Sequence, residues 1–163
     1  MTRLIATFGG IGFLPGPAGT WGSLAALPVG YLLHLIGGFP LLAAATLAAC
    51  AAGFWATKVE TFEQADLDPA HIVIDEVVGM WIALMPLSFG LWHAGAPAAL
   101  FPWPGWVAGF ALFRLFDIWK PWPVSWADQR SGPTGVMLDD VLAGLMAAGL
   151  VTLMAGLAHG WLR

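Results

Sequence analysis

The chain has 163 residues, 59% of them apolar and only 10% charged, with a mean hydropathy of +0.78; a soluble domain carries about a quarter charged residues. No Asp, Glu, Lys or Arg falls between Arg3 and Lys58, between Glu76 and Arg114, or between Asp140 and Arg163, and a bilayer-crossing helix takes about 20 mostly apolar residues. These gaps exclude a soluble globule, and the absence of a basic patch excludes a nucleic-acid binder.

The reading is all-α: a polytopic integral membrane bundle of about five hydrophobic helices with polar cytoplasmic ends, in one domain over residues 1–163. The opening "MTRLIATFGGIGFLPGPAG" is broken by Gly and Pro too early for a cleaved signal peptide and reads as a loop or re-entrant lead-in. "GTWGSLAALPVGYLLHLIGG" follows as the first span, with Thr20 or Ser23 as N-cap and a kink expected at Pro28. "GGFP" (37–40) marks a turn. "LLAAATLAACAAGFWATKVETF" is the second span, rich in the small residues that suit close helix packing. Its lone Cys50 offers neither a disulfide nor a metal cluster.

"EQADLDPAH" is a polar link. The third span runs from about Ile74 to Trp92, and the Pro-rich "HAGAPAALFPWPGW" is a loop at the far interface. A fourth helix covers about 105–120, and a last one about Val136 to Trp161. With five spans, Arg3, Lys58, Arg114, Lys120 and Arg130 share one side with all ten acids, and the basic residues make that side cytoplasmic. Trp119, Trp122 and Trp126 would anchor the cytoplasmic interface, and Trp92, Trp103 and Trp106 the opposite one.

Five acids stand at helix ends: Asp75 and Glu76, Asp117, and Asp139 and Asp140. "IDEVVGM" (74–80) and "LDDVLAG" (138–144) echo one another. A carboxylate at a helix N-terminus gains about 0.3–1 kcal/mol from the macrodipole when exposed, which accounts for any single acid. It does not account for doubled acids against long apolar runs, where repulsion and burial both add cost. A divalent cation offsets that cost, and Mg²⁺ prefers hard oxygen ligands. In "FRLFDIWKPWP", Arg114, Asp117 and Lys120 recur every third residue, so neighbours share a helix face. Read blandly, they are snorkelling cations with a local ion pair. Read functionally, they clamp a phosphate beside a carboxylate that holds metal. "PGPAGTWGS" (15–23) adds Thr20, Gly22 and Ser23 as an anion-binding helix start without a Walker lysine.

Several phosphatase chemistries are excluded. Cys50 has Ala56 rather than Arg six residues on, "DLDPA" (66–70) ends in Ala, and no Asp-Gly pair occurs. Metal-assisted attack by water remains.

Together "GTWGSLAALP", "IVIDEVVGMW", "FRLFDIWKPWP" and "GVMLDDVLAG" resemble the bacterial phosphatidylglycerophosphatase A family, over nearly the whole chain and in family order. The resemblance implies a Mg²⁺-dependent enzyme of the bacterial inner membrane that hydrolyses phosphatidylglycerophosphate to phosphatidylglycerol and phosphate. By position its acidic motifs fall on Asp75, Glu76, Asp117, Asp139 and Asp140, and its basic residues on Arg114 and Lys120. Asp68, in a loosely matching segment, is an open candidate, and His71 has no assigned role. The expected arrangement puts Mg²⁺ on Glu76, Asp139 and Asp140, with Asp75 or Asp117 as further ligand or general base. Arg114 and Lys120 would neutralise the phosphate, Thr20, Gly22 and Ser23 would bind it, and the phospholipid would enter laterally from the bilayer. An aspartyl phospho-enzyme, another lipid phosphate as substrate, and a small cation transporter stay open as alternatives.

Overall fold

The computed structural model describes residues 1–62 and 69–161; Asp68 and Arg163 lie outside the described residues, as do most of the polar link before His71 and the side chain of His159. All regular structure in the described residues is helical. The helices are α1 (Thr2–Ala6), α2 (Ala18–Glu60), α3 (Ile74–His93), α4 (Trp103–Trp119), α5 (Val124–Asp128) and α6 (Pro133–Trp161), with a 3-10 turn at Ile11–Phe13 before α2.

The first two expected spans are one continuous element. At 43 residues, α2 would measure about 65 Å if straight, at 1.5 Å per residue, about twice the hydrocarbon thickness of a bilayer. It does not run straight. Helical dihedrals continue through Pro28 and Pro40, and the break is Gly38, with φ 61° and ψ −157°. That conformation suits glycine, and a Cβ there would also press on the Trp92 indole, 2.6 Å from its Cδ1. The turn signal in "GGFP" therefore located the break, while Pro28 lies within continuous helix.

The contacts on either side of Gly38 run in opposite directions along α3. In the first half, Ser23 meets Glu76, Gly30 lies against Trp81 and Leu84, and Gly38 reaches Trp92. In the second half the chain returns, and Gly53 lies against Ile74 and Met137. α2 is thus a helical hairpin that wraps α3 from two sides.

α3 is the buried axis of the bundle, with residues Ile74 to Leu84 all inside. α2, α4 and α6 pack around it and turn large apolar side chains outward, among them Leu32, Ile36, Leu47, Ile118, Leu153 and Leu157. α2, α3 and α6 are long and apolar enough to cross a membrane. A globule in water would not leave so much apolar surface uncovered; the outer faces of this bundle are made for lipid.

α3 and α6 approach through glycines. A side chain on Gly144 would run into the Gly79 carbonyl, and one on Gly79 would lie 2.7 Å from the Asp140 carbonyl. Small residues at such a crossing bring two backbones together. Here the two echoed segments, "IDEVVGM" and "LDDVLAG", are laid against each other near their acidic ends.

The lead-in is a folded cap. Thr2 donates to Glu60 at 2.6 Å, the Val73 amide donates to the Ala6 carbonyl at 2.9 Å, and Gly12 abuts the His71 backbone. Residues 1–17 therefore gather the polar ends of α2 and α3 rather than lying loose.

Candidate active site

Five helices, α2 to α6, deliver polar side chains to one end of the bundle. α2 begins at Ala18 with Pro17 as N-cap, earlier than the Thr20 or Ser23 start read from the sequence. Gly16, at φ 104°, makes the turn, and the fixed φ of Pro17 is compatible with entry to a helix. Thr20, Gly22 and Ser23 thus lie inside the first turns. Ser23 Oγ sits 2.8 Å from both the Gly19 carbonyl and Glu76 Oε2. Gly22 packs against Val73 and the Glu76 Cβ. Gly19, which the sequence reading passed over, is pressed against the Glu76 carboxylate, and any larger residue would displace it. The "GTWGS" glycines are therefore a close-approach surface between α2 and α3.

Asp75 and Glu76 occupy the first turn of α3 and are both buried. Asp75 Oδ1 accepts the Glu76 amide at 2.9 Å, so it serves a free N–H at the helix start. Glu76 points across the bundle to Arg114 on α4, whose Nη1 lies 2.7 Å and 2.6 Å from Glu76 Oε1 and Oε2. The same Nη1 is 2.9 Å from Asp117 Oδ2 and 3.3 Å from Ser23 Oγ, while Nη2 reaches Thr20 Oγ1 at 3.4 Å. One guanidinium thus ties α4 to α3 and to the head of α2.

On α6, Asp139 and Asp140 are buried and diverge. Asp140 turns to Glu76 and Asp117, and carboxylate oxygens of these three lie within 4.8 Å of one another. Asp139 Oδ2 accepts from Lys120 Nζ at 2.9 Å. Lys120 caps α4 in the left-handed region, φ 48° and ψ 54°. Pro121 follows and disfavours a further helical residue before it. The ammonium is held from its other side by Asp128 of α5, a contact the sequence reading did not foresee. Burial opposes the charged form of Lys120, but the Asp128 and Asp139 carboxylates outweigh it and raise its pKa above the ordinary lysine range.

The expected site residues thus form two adjoining groups. Glu76, Asp117 and Asp140 gather with Arg114, Ser23 and Thr20. Asp139 joins Lys120 and Asp128. His71 stacks on Phe13, 5.2 Å between ring centroids, in the lead-in cap.

Three carboxylates against one guanidinium leave an excess of negative charge in a mostly buried setting. All the donors at that centre are oxygens. Such a set fits a hard divalent cation, magnesium before zinc or copper. The fold and the site define a class: a helical membrane protein with a carboxylate cluster able to hold metal and an arginine at one end of its bundle, the make-up of an enzyme that handles phosphate at a bilayer surface.

Comparison with known proteins narrows the class. The chain belongs to the phosphatidylglycerophosphatase A family, whose model matches residues 4–155, and it is a membrane phosphatase. It is 35% identical to phosphatidylglycerophosphatase A of Escherichia coli K12 over 98% of this chain and 84% of that protein. Identity to phosphatidylglycerophosphatase A of Haemophilus influenzae Rd is 34%, over 89% of this chain and 83% of that protein. A Bacteroides thetaiotaomicron relative named "Putative phosphatidylinositol-3-phosphatase" is 37% identical over 87% of this chain and 86% of its own. No solved structure matches the chain.

Proposed function

We propose that the protein, acting as a single membrane-embedded phosphatase domain, removes the terminal phosphate of phosphatidylglycerophosphate to give phosphatidylglycerol and inorganic phosphate. The names of the two phosphatidylglycerophosphatase A relatives support the substrate. The observation that carries the chemistry is the convergence of Glu76, Asp117 and Asp140 within 4.8 Å, beside Arg114. The proposed reaction and the basic residues support a place in the inner membrane of a bacterium, with this site facing the cytoplasm.

Mg²⁺ held by Glu76 and Asp140, with Asp117 beside it, would supply Lewis acidity and neutralise phosphoryl charge. The protein's own groups do the rest. Arg114, already in reach of Thr20 and Ser23, releases part of its carboxylate contacts to grip the phosphate oxygens. The Thr20 and Ser23 hydroxyls add neutral donors to the same phosphate. Asp117, the more exposed of the three acids, takes a proton from the attacking water. As the water oxygen bonds to phosphorus, the bond from phosphorus to the glycerol oxygen breaks; that oxygen takes a proton from solvent water and leaves as the alcohol, and Asp117 returns its proton to solvent. Asp75 fixes the start of α3. Asp139, Lys120 and Asp128 fix the junction of α4, α5 and α6. This assigns Asp139 and Lys120 a positioning role in place of direct metal and phosphate contact.

The test is phosphate release from phosphatidylglycerophosphate by detergent-purified protein, with Mg²⁺ and with EDTA. Release that stops in EDTA and returns with added Mg²⁺ is expected; release indifferent to EDTA would sink the metal assignment. The Bacteroides relative favours a second reading, another lipid phosphate as substrate. Phosphatidylinositol 3-phosphate and phosphatidic acid offered in parallel separate the two. Cation transport has less support. In the sequence, the spans away from the acidic end carry no Asp, Glu, Lys or Arg, and their histidines are His34, His93 and His159; the His34 ring is engaged by Ser88 at 2.8 Å.

A further inference from the structure

Between the first half of α2 and α4 lies a cavity of about 410 Å³, lined by Leu24, Leu27, Tyr31, Phe101 and Trp106 with Ala99 beside them. Its size is that of a small-molecule site, yet no charged side chain lines it. The carboxylates and Arg114 are not among its lining residues. On α2, Thr20, Leu24, Leu27 and Tyr31 follow one another at four, three and four residues, so they share one helix face. Thr20 is the residue that Arg114 reaches. On α4, Trp106 and Arg114 are eight residues apart, about two turns and again on one face. The crevice between the two helices is therefore polar at its near end and apolar beyond.

Its two boundaries differ. Leu24 is 39% exposed and Val107, beside Trp106, is 40% exposed, so the flank opens outward to where lipid would lie. The far end is closed. There the Tyr31 hydroxyl donates to the Ala99 carbonyl at 3.2 Å, and Phe101 packs at a tilt against both Tyr31 and His34, with centroids 5.3 Å and 5.2 Å away.

We infer that this cleft holds one acyl chain of the lipid whose phosphate sits at Arg114; the inference rests on the lipid-phosphatase reading above. The occupant follows from continuity: a glycerophospholipid with its phosphate between Arg114 and Thr20 has its chains leading away along the apolar part of the same crevice. A lipid tail gains little hydrophobic free energy by exchanging bilayer for protein, since both are apolar. What the cleft contributes is register. A chain seated against the closed end fixes the distance and orientation of the phosphorus relative to the carboxylates, the kind of constraint that sets the rate of a positioned reaction. The residues at the cleft are specificity determinants, not catalytic groups.

The test compares two substrates with one headgroup, a dioleoyl and a dihexanoyl phosphatidylglycerophosphate, on the wild-type protein, Leu27→Trp and Ala99→Phe. Both substitutions fill the cleft, and the second lies on an exposed connection. Melting in detergent identifies the variants that keep the fold. We expect kcat/KM for the dioleoyl lipid to fall about tenfold or more in folded variants, and that for the dihexanoyl lipid to change by less than about twofold. Equal losses on both lipids, or no loss on either, would overturn the cleft. Wild-type protein that releases phosphate from neither lipid would instead overturn the substrate reading on which the cleft depends. If Leu27→Trp does not fold, Ala99→Phe decides.

Discussion

Asp75–Glu76 and Asp139–Asp140 stand in near-identical surroundings, "IDEVVGM" and "LDDVLAG". In each pair the first aspartate accepts the amide of the second acid, at 2.9 Å and 3.0 Å. The second acids, Glu76 and Asp140, meet with Asp117. Of the first acids, Asp139 turns away from them and takes Lys120. Successive residues on a helix do not face the same way, so the two carboxylates of a pair diverge. Doubling instead places one acid in the centre and leaves the other to hold the backbone or a neighbouring element. The two pairs then differ in their counter-charge: Glu76 is tied to Arg114, inside the centre, while Asp139 is tied to Lys120, beside it.

This division predicts unequal losses. Glu76→Gln and Asp140→Asn should each lower kcat/KM for phosphate release by about 10²–10³-fold, the several kcal/mol that charge stabilisation of a phosphoryl group supplies. Asp140→Asn should also raise the Mg²⁺ concentration needed for half-maximal rate. Asp75→Asn and Asp139→Asn should cost about 10–100-fold, as for groups that orient ligands, with the Mg²⁺ requirement little changed. Four equal losses would erase the distinction between the members of each pair.

The α3–α6 crossing that unites the pairs can be opened directly. Gly144→Val would push a side chain into the Gly79 carbonyl, whereas Gly149→Val, five residues further along α6, meets nothing within 4 Å. The first should lose about 1–3 kcal/mol of stability from overpacking and most activity, seen as a lower melting temperature in detergent beside a phosphate assay. The second should match wild type. If both behave alike, the crossing is not what holds Asp140 to Glu76.

The outline of this arrangement was legible in the sequence to an uneven degree. Charge-free runs gave the helices because bilayer thickness dictates their length, and "GGFP" gave the reversal because Gly38 alone adopts the required backbone there. The acids were legible as a set, since a chain so poor in charge retains them at a cost. Their partners were not. Which of Asp139 and Asp140 faces Glu76 depends on the rotation of α6, and that is set by Gly79 and Gly144 at a contact formed only in the fold. Asp128 was invisible for a similar reason: α5 is short, and only the left-handed cap at Lys120 swings the ammonium to it. The lead-in escaped because its bonds to Glu60 and Val73 span long stretches of chain.

Arg114→Lys sharpens the counter-charge half of the comparison. Lysine keeps the charge but loses the planar fork, and one ammonium cannot reproduce the reach to Glu76, Asp117 and Thr20 together. We expect a loss of about 10–100-fold in kcat/KM, comparable to losing an orienting group, with the Mg²⁺ dependence retained. A fully active Arg114→Lys protein would mean that charge alone is used there.

The smallest effect belongs to Asp128→Asn. Lys120 is shared between two acids of unequal burial, the Asp128 side chain being 43% exposed and that of Asp139 11%. An ion pair open to water is screened by salt and contributes about 0–1 kcal/mol; the pair closed off from water keeps its geometry. Removing Asp128 therefore leaves Lys120 on Asp139, and activity should fall by less than about threefold, with stability changed by under about 1 kcal/mol. The residual effect should shrink further as salt is added. Asp139→Asn should be the costlier change of the two, because it leaves Lys120 only its exposed partner and frees the end of α6. If Asp128→Asn instead matched Asp139→Asn in activity at every salt concentration, α5 would have to be counted as a wall of the site, and the counter-charge of the second acid pair would lie in the connection between α4 and α6 as much as in Lys120.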